Sequence, residues 1–417
     1  MQQLIGPFSQ VLTMDQLPAK GPIFDHKMQV IEDGWILTCD GTISAVGNAD
    51  DFRGMNVPRV IVDVPSVCIP GLIDCHTHIC WGGNRSHEYA MKLQGIPYQE
   101  IAANGGGILS TVSATRGSTE DELYHLMLER AEKLLSRGVT TCEVKSGYGL
   151  SVDAEMKMLS VIQKCGQIHP ISFVSTCLGA HVRPKEWEEN TKYLNYLLEE
   201  LLPRAKNELN VNRVDIFVEK GAFSALEAKS YLLNAKKMGF DLVIHGDQFS
   251  SAGSRLAVEV GALSVDHLEH ISEEDADLLA QSSVIPVVLP GASCGLGIPF
   301  APARMLLDKN LPVAIASDWN PGSAPMGDLL TQSSLLGIYE KMTMAEIFAG
   351  ITFRAASALK MKDRGILKPN MVADFIVYPT SNYQDILYFQ GAMRPSHVFK
   401  GGNLVFSSHP ITSEVLC

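Results

Sequence analysis

This sequence has no stretch built to cross a membrane: no apolar run approaches the roughly 18 residues that a span requires. It has no basic cluster, and its net charge of -12 argues against nucleic acid as a partner. Small anionic substrates stay open, because one local arginine can outweigh a diffuse acidic field. There are nine cysteines, an odd number without a CxxC pair, which reads as reduced thiols in the cytosol. The start, Met1-Gln2-Gln3-Leu4-Ile5-Gly6, lacks the basic opening and long apolar core of a secretory signal. A soluble cytoplasmic protein with no membrane or nucleic-acid partner is therefore expected. There is no internal repeat and no low-complexity segment. The 417 residues are too many for one small domain, but a barrel of about 250 residues plus an accessory module fits.

What is present is an alternation. From Cys68 onward, short β-branched runs alternate with helical patterns, as in βα units around a parallel sheet. Thr119 with Glu122 makes a capping box. Leu123, Leu126, Met127, Ala131, Leu134 and Leu135 repeat at helical spacing, and Gly138 ends the helix before a strand over Val139 to Val144. Strands are expected near 69–75, 139–144, 171–177, 214–218, 241–245, 263–267, 285–289 and 313–317. Eight such strands predict a (β/α)8 barrel of the α/β class over 68–365, with its active site at the C-terminal strand ends. Residues 28–67 read as short strands with turns at Asp40-Gly41 and Val46-Gly47, and the tail contains Asp374-Phe375-Ile376-Val377-Tyr378 and His397-Val398-Phe399-Lys400. Residues 1–67 and 366–417 are expected to pair into a small composite β-sandwich domain.

The chemistry gathers at the predicted strand ends. Ile73-Asp74-Cys75-His76-Thr77-His78 places two histidines at i and i+2, which point the same way off an extended strand. His245, His267 and Asp318 close three further apolar runs. Three metal ligands with an open position make a catalytic site, so His76, His78 and His245 are nitrogen donors for a metal and Asp318 adds a carboxylate. Asp318 also suits the general base that takes a proton from the attacking water and returns it to a leaving nitrogen. His267 is either a ligand of a second metal or a group that polarises the scissile carbonyl. A carboxylated lysine normally bridges two metals, and Lys145 does not lie where such a bridge belongs, so one metal is expected, with His267 as electrophile. Gln248 can hydrogen-bond a substrate amide but cannot replace Asp318 as a base.

These motifs together resemble the imidazolonepropionase family of the metal-dependent amidohydrolase superfamily. The superfamily likeness rests on Gly71-Leu72-Ile73-Asp74-Cys75-His76-Thr77-His78, His245, His267, Asp318 and Val372-Ala373-Asp374-Phe375. The narrower likeness adds Gly83-Asn84-Arg85, Gly105-Gly106-Gly107-Ile108, Ala114-Thr115-Arg116 and the run Glu143 to Leu150. It continues through Leu178-Gly179-Ala180-His181, His245-Gly246-Asp247-Gln248, Leu289-Pro290-Gly291-Ala292 and Asp318-Trp319-Asn320-Pro321-Gly322-Ser323. The resemblance implies hydrolysis of 4-imidazolone-5-propanoate, a small anionic cyclic amide, to N-formimidoyl-L-glutamate in histidine breakdown. It implies zinc or iron on His76, His78, His245 and Asp318. Arg85, Tyr148 and His181 would hold substrate and product, with Gln248, Asn320, Gly322 and Ser323 completing the pocket, and the chain would form a homodimer. An arginine fork suits the propionate carboxylate. The departures are Ser323-Ala324-Pro325 where Thr-Ser-Pro is expected, Gln248 where some members carry Glu, and Cys294 to Pro299, where a more aromatic and charged segment is expected. A deaminase acting on a cyclic amidine or on formimidoylglutamate would share the metal set but lack the Arg85 motif and the Glu143–Leu150 run; a non-catalytic scaffold would lose ligands.

Overall fold

The computed structural model describes residues 2–62, 65–96, 100, 106–408 and 412–414. The helix read from its capping box spans Glu120–Ser136: Thr119 Oγ1 accepts from Glu122 N at 3.2 Å, and Glu122 Oε2 accepts from Thr119 N at 2.7 Å. Its buried stripe is Leu123, Met127, Ala131, Leu134 and Leu135, with Leu126 only partly covered and Arg130 buried in addition. The Arg130 guanidinium lies 3.4 Å from the centre of the Trp81 ring and donates to the carbonyls of Ile79 and Trp81. It thereby pins the segment that leaves the His76–His78 pair. Gly138, at φ +90°, turns the chain into the strand Val139–Lys145.

Eight parallel strands pair in sequence order: Leu72–Asp74, Val139–Lys145, Ser172–Ala180, Arg213–Val218, Asp241–Gly246, Ser264–His267, Ile285–Val288 and Ala314–Ile315. First and last strands meet just beyond their ends, where Thr77 bridges Trp319, Asp318 N donates to His76 O at 3.0 Å and His78 N to Trp319 O at 3.0 Å. The barrel thus closes through the backbone of three expected metal ligands. Asp74 straps the same seam, accepting from Ser317 N at 2.9 Å and Ser317 Oγ at 2.5 Å. Burial pushes the Asp74 carboxyl up to about 7 against these hydrogen bonds.

Three strands differ from their sequence pattern. The run expected over 69–75 is two strands broken at Gly71, where a Cβ would come 2.3 Å from Thr140 Oγ1. Its first half, Val67–Pro70, pairs antiparallel with Phe375–Tyr378 in the second sheet. The third barrel strand runs past 177 to Ala180 through an irregularity between Cys177 and Ala180, which delivers His181 to the barrel mouth. The eighth is only two residues long because Ser317 and Asp318 peel away, Asp318 with φ +52°.

The second sheet is mixed and joins both ends of the chain, in the order 403–407, 397–400, 375–378, 67–70, 2–12, 30–39 and 42–48, with 59–61 and 412–414 attached beside 2–12. Ile5, Phe8, Val11, Ile36, Phe375, Val377 and Phe399 form its own apolar cluster. The strand Gln2–Leu12 was not read from the sequence: a register shift between Ile5 and Phe8 breaks its alternation around Gly6 and Pro7. Asp40-Gly41 is the expected turn, whereas Val46 and Gly47 lie inside the strand Thr42–Asn48.

Candidate active site

The segment Cys75–His78 stays extended because neighbours on both sides hold it. Lys145 N donates to Thr77 O at 2.9 Å and Thr77 Oγ1 donates to Glu143 O at 2.6 Å, while the eighth-strand loop pairs with His76 and His78. Both imidazoles therefore project into the barrel mouth, where His245, His267 and Asp318 arrive from the fifth, sixth and eighth strands. His76 Nε2 is 3.6 Å and His78 Nε2 3.4 Å from Asp318 Oδ1, and His245 Nε2 is 3.4 Å from His78 Nε2. Two overlapping groups of metal-type donors result, His76 with His78 and Asp318, and His76 with His245 and His267, each with donor atoms within 4.8 Å of one another. His267, at φ +93°, and Asp318, at φ +52°, both occupy backbone conformations that cost energy for a residue with a Cβ, as sites under functional constraint do.

Two of the rings face a carboxylate on their far side. His76 Nδ1 donates to Asp266 Oδ2 at 2.6 Å and His245 Nδ1 lies 2.8 Å from Asp215 Oδ2. A proton on each Nδ1 leaves each Nε2 as a lone pair aimed at the shared centre. His76 Nε2 is buried and meets no hydrogen-bonding protein atom among the described residues. Such an atom is costly unless a metal ligates it, so the donor set fits one. Burial, helped by the charge of Lys145, holds His76 well below the usual histidine range and brings His78 down to about 3. Burial brings His245 to about 4 against the pull of Asp215. All three rings are neutral near pH 7, as ligands must be. His267 goes the other way: burial opposes its charge, but Glu269, 3.6 Å from Nδ1, and Asp318 outweigh it and hold it above the ordinary value. Burial raises Asp318, making it a better proton acceptor than an exposed aspartate.

Above the cluster opens a cavity of about 530 Å³, lined by His78, His245, His267 and Asp318 below, and by Arg85, Tyr148, His181, Gln248, Asn320, Gly322 and Ser323 around it. Every residue singled out from the sequence for the substrate reaches this one space. The His181 ring stacks on His78 at 5.4 Å, and Tyr148 lies 5.7 Å from His78. The loop carrying Tyr148 is tied by Glu155, which accepts from the backbone N–H groups of Gly147, Gly149 and Leu150 at 2.9, 2.7 and 2.8 Å, and by Arg116, which donates to the carbonyls of Gly149 and Leu150. Asn320 Oδ1 accepts from Gly322 N and Ser323 N at 2.8 Å each, so this side chain shapes the turn that carries Gly322 and Ser323. Leu296 and Ile298 supply an apolar wall from the segment that departs from the family pattern.

Arg85 differs from its expected state. Its Nε and Nη2 donate to Glu88 Oε2 at 2.9 and 2.7 Å, and Glu88, 1% exposed, also accepts from Gly107 N. The Nε and Nη2 edge of the fork expected for a ligand carboxylate thus faces Glu88, and Nη1 lies beside Gly322. A Cβ at Gly322 would come 2.2 Å from Arg85 Nη1, so only glycine admits this approach. Of the motif Gly105-Gly106-Gly107-Ile108, Gly105 lies outside the described residues.

Residues 67–405 match the model of the amidohydrolase family. The imidazolonepropionase of Bacillus cytotoxicus is 39% identical over 411 residues, covering 97% of this chain and 96% of the relative, and that of Bacillus cereus strain ATCC 14579 is 38% identical over 414 residues, covering 98% and 97%. The chain belongs to the imidazolonepropionase group of the amidohydrolase family. It is a hydrolase. Among solved structures, an adenosine deaminase from Xanthomonas campestris with bound zinc superposes with a TM-score of 0.72 at 15% identity, covering 97% of this chain and 93% of that one. An atrazine chlorohydrolase from Arthrobacter aurescens TC1 complexed with zinc gives 0.67 at 16% identity, covering 97% and 95%. These two share the barrel fold. Among the described residues no helix is long and apolar enough to cross a membrane.

Sequence reasoning missed the groups that stand behind the family's site. Asp215 and Asp266 orient His245 and His76, and Glu219 accepts from Phe249 N at 2.9 Å and Ser250 N at 3.2 Å, fixing the loop that carries Gln248. A signal was present: Glu143-x-Lys145, Arg213-x-Asp215 and Ser264-x-Asp266 put polar residues at alternate positions of apolar strands, the inward register of a barrel.

Proposed function

We propose that this chain hydrolyses 4-imidazolone-5-propanoate to N-formimidoyl-L-glutamate, a step of histidine breakdown. The observation that carries the reading is the single cavity joining the donor cluster to Arg85, in a chain whose curated relatives are imidazolonepropionases. In this reading His76, His78, His245 and Asp318 hold one divalent ion, zinc or iron, since a set of imidazoles and one carboxylate accepts either. When bound, the ion would act as a Lewis acid and lower the pKa of a water towards about 7.

The chain's own groups then divide the work. Asp318 takes the water proton as oxygen adds to the ring carbonyl carbon. His267, held towards its charged form by Glu269 and Asp318, donates to the carbonyl oxygen as negative charge develops there. The ring C–N bond breaks, the incoming oxygen stays on carbon as part of a carboxylate, and Asp318 returns the proton to the departing nitrogen. Gln248 hydrogen-bonds the ring amide. Tyr148 and His181 flank the ring, Arg85 meets the propionate through Nη1, and Asn320, Gly322 and Ser323 complete the wall.

The structural support for one ion is the state of Lys145. Its Nζ lies 2.8 Å from Glu143 Oε2 and 2.8 Å from Asp215 Oδ2. Burial opposes its charge, but Asp215, Glu143 and Asp266 outweigh burial and hold it above the ordinary lysine value. Forming a bridging carbamate needs the neutral amine. The same reading includes a cytoplasmic homodimer without nucleic-acid or membrane partners, resting on the net charge of -12 and the family relationship. The test is turnover of fresh 4-imidazolone-5-propanoate against a panel of cyclic amides and amidines. Preference for the propanoate is the expected result, and faster deamination of a cyclic amidine would replace the reading.

A further inference from the structure

The interior of a (β/α)8 barrel is filled by layers of side chains drawn from alternate strands, usually bulky and branched. Here the layer beneath the histidine cluster is ionic. Glu143 and Lys145 enter from the second strand, Asp215 from the fourth and Asp266 from the sixth, and their side chains are no more than 1% exposed. Lys145 Nζ lies 2.8 Å from Asp215 Oδ2 and 3.7 Å from Asp266 Oδ2. Those two oxygens are the ones that face the histidines, Asp215 Oδ2 at 2.8 Å from His245 Nδ1 and Asp266 Oδ2 at 2.6 Å from His76 Nδ1. One ammonium therefore shares an oxygen with each of two ligand-orienting carboxylates that come from different strands.

We propose that Lys145 is a positioning residue for the metal centre, fixing Asp215 and Asp266 together so that His245 and His76 present Nε2 to the same ion. The inference rests on the metal-centre reading above. Two buried carboxylates facing a common point repel each other, and without a cation between them only neutral donors offset their desolvation, Ser264 Oγ at 2.7 Å for Asp266 and Ile216 N at 2.7 Å and His245 N at 3.2 Å for Asp215. With Lys145 between them, each keeps one oxygen where an imidazole N–H can donate to it. Partners of this kind, one shell behind the ligands, change metal affinity about 10- to 100-fold when removed. Glu143 differs from the two aspartates. It contacts Lys145, but its other oxygen is taken by Thr176 Oγ1, with Arg213 Nη2 at 3.4 Å. It is an outer counter-charge with no histidine contact among the described residues.

The test measures zinc affinity of the chelator-stripped full chain by competition with a chromophoric chelator, and the visible spectrum of the cobalt-loaded form, alongside circular dichroism and melting of the metal-free protein. Wild type must first bind zinc; if it does not, the metal-centre reading itself fails. Lys145→Met is expected to stay folded, to bind zinc at least about tenfold more weakly and to change the cobalt spectrum. Glu143→Gln, which keeps the ammonium on both aspartates, is expected to hold zinc within about threefold of wild type, below the scale of such partner losses. Should Lys145→Met fail to fold, the double variant Lys145→Met/Glu143→Gln, which buries one charge of each sign fewer, takes its place with the same expected loss. A folded variant without Lys145 that keeps wild-type affinity and spectrum overturns the proposal. So does a fall in Glu143→Gln as large as that in Lys145→Met, because then the whole ionic layer matters and not the lysine's hold on the two aspartates.

Discussion

Removing Arg85 separates substrate binding from structure only if Glu88 is treated with it. In the wild type the Arg85 fork and the Glu88 carboxylate lie together at 9% and 1% exposure, with Gly107 N as a further donor to Glu88. Arg85→Ala leaves that carboxylate buried without its cation, which costs about 3–5 kcal/mol. It also removes a guanidinium from the cavity wall, and losing a charge-assisted contact to the propionate costs about 1.5–3 kcal/mol, or about 10- to 150-fold in kcat/KM. The double variant Arg85→Ala/Glu88→Gln removes both charges, so most of the stability should return while the catalytic loss stays. Both effects are read in parallel, as unfolding in urea and as kcat/KM on the propanoate and on a ring analogue without the carboxylate. The single variant should lose stability and propanoate turnover. The double variant should lose only the turnover, and neither should change use of the analogue by more than its loss of folded protein. If the double variant regains kcat/KM together with stability, Arg85 serves the loop and not the substrate, and the propionate contact has to be sought elsewhere.

Asp318→Asn should retain the fold and lower kcat at least about 100-fold, the scale of a lost acid–base group; activity within a few-fold of wild type would take Asp318 out of proton transfer. Asp266→Asn replaces an anionic acceptor by an amide behind His76 and should weaken zinc affinity about 10- to 100-fold in a chelator competition, whereas an unchanged affinity would mean that His76 is oriented by the barrel seam alone. Gly322→Ala places a methyl 2.2 Å from Arg85 Nη1 and should raise KM for the propanoate, with kcat for the carboxylate-free analogue unchanged. An equal loss on both substrates would mean that the turn itself has collapsed.

Much of this architecture was legible because the first, fifth, sixth and eighth barrel strands run into polar residues that interrupt an apolar run. His76, His78, His245, His267 and Asp318 could be placed at one face from that pattern, and the capping box at Thr119 fixed a helix start to the residue. What stayed hidden depends on distances between strands. Sequence places Asp215 and Asp266 on strands, but the pairing of the fourth and fifth strands brings Asp215 2.8 Å from His245, and the closed barrel brings Asp266 of the sixth strand 2.6 Å from His76 beyond the first. Arg85 and Glu88 sit three residues apart at the start of the helix Ser86–Leu93, a spacing that allows a pair. The strand Gln2–Leu12 escaped because its register shift removes the alternation by which strands are read, and Gly71 hid a change of sheet inside one continuous apolar run.

In the proposed reaction, hydrolysis depends on one ion held by His76, His78, His245 and Asp318. The direct measurement is a titration of the chelator-stripped enzyme with zinc or iron, following hydrolysis of fresh 4-imidazolone-5-propanoate. Activity should be absent without metal, rise in proportion to added ion and level off at one equivalent per chain. Full hydrolysis by the metal-free enzyme, or a break at two equivalents with Lys145 carboxylated, would contradict it.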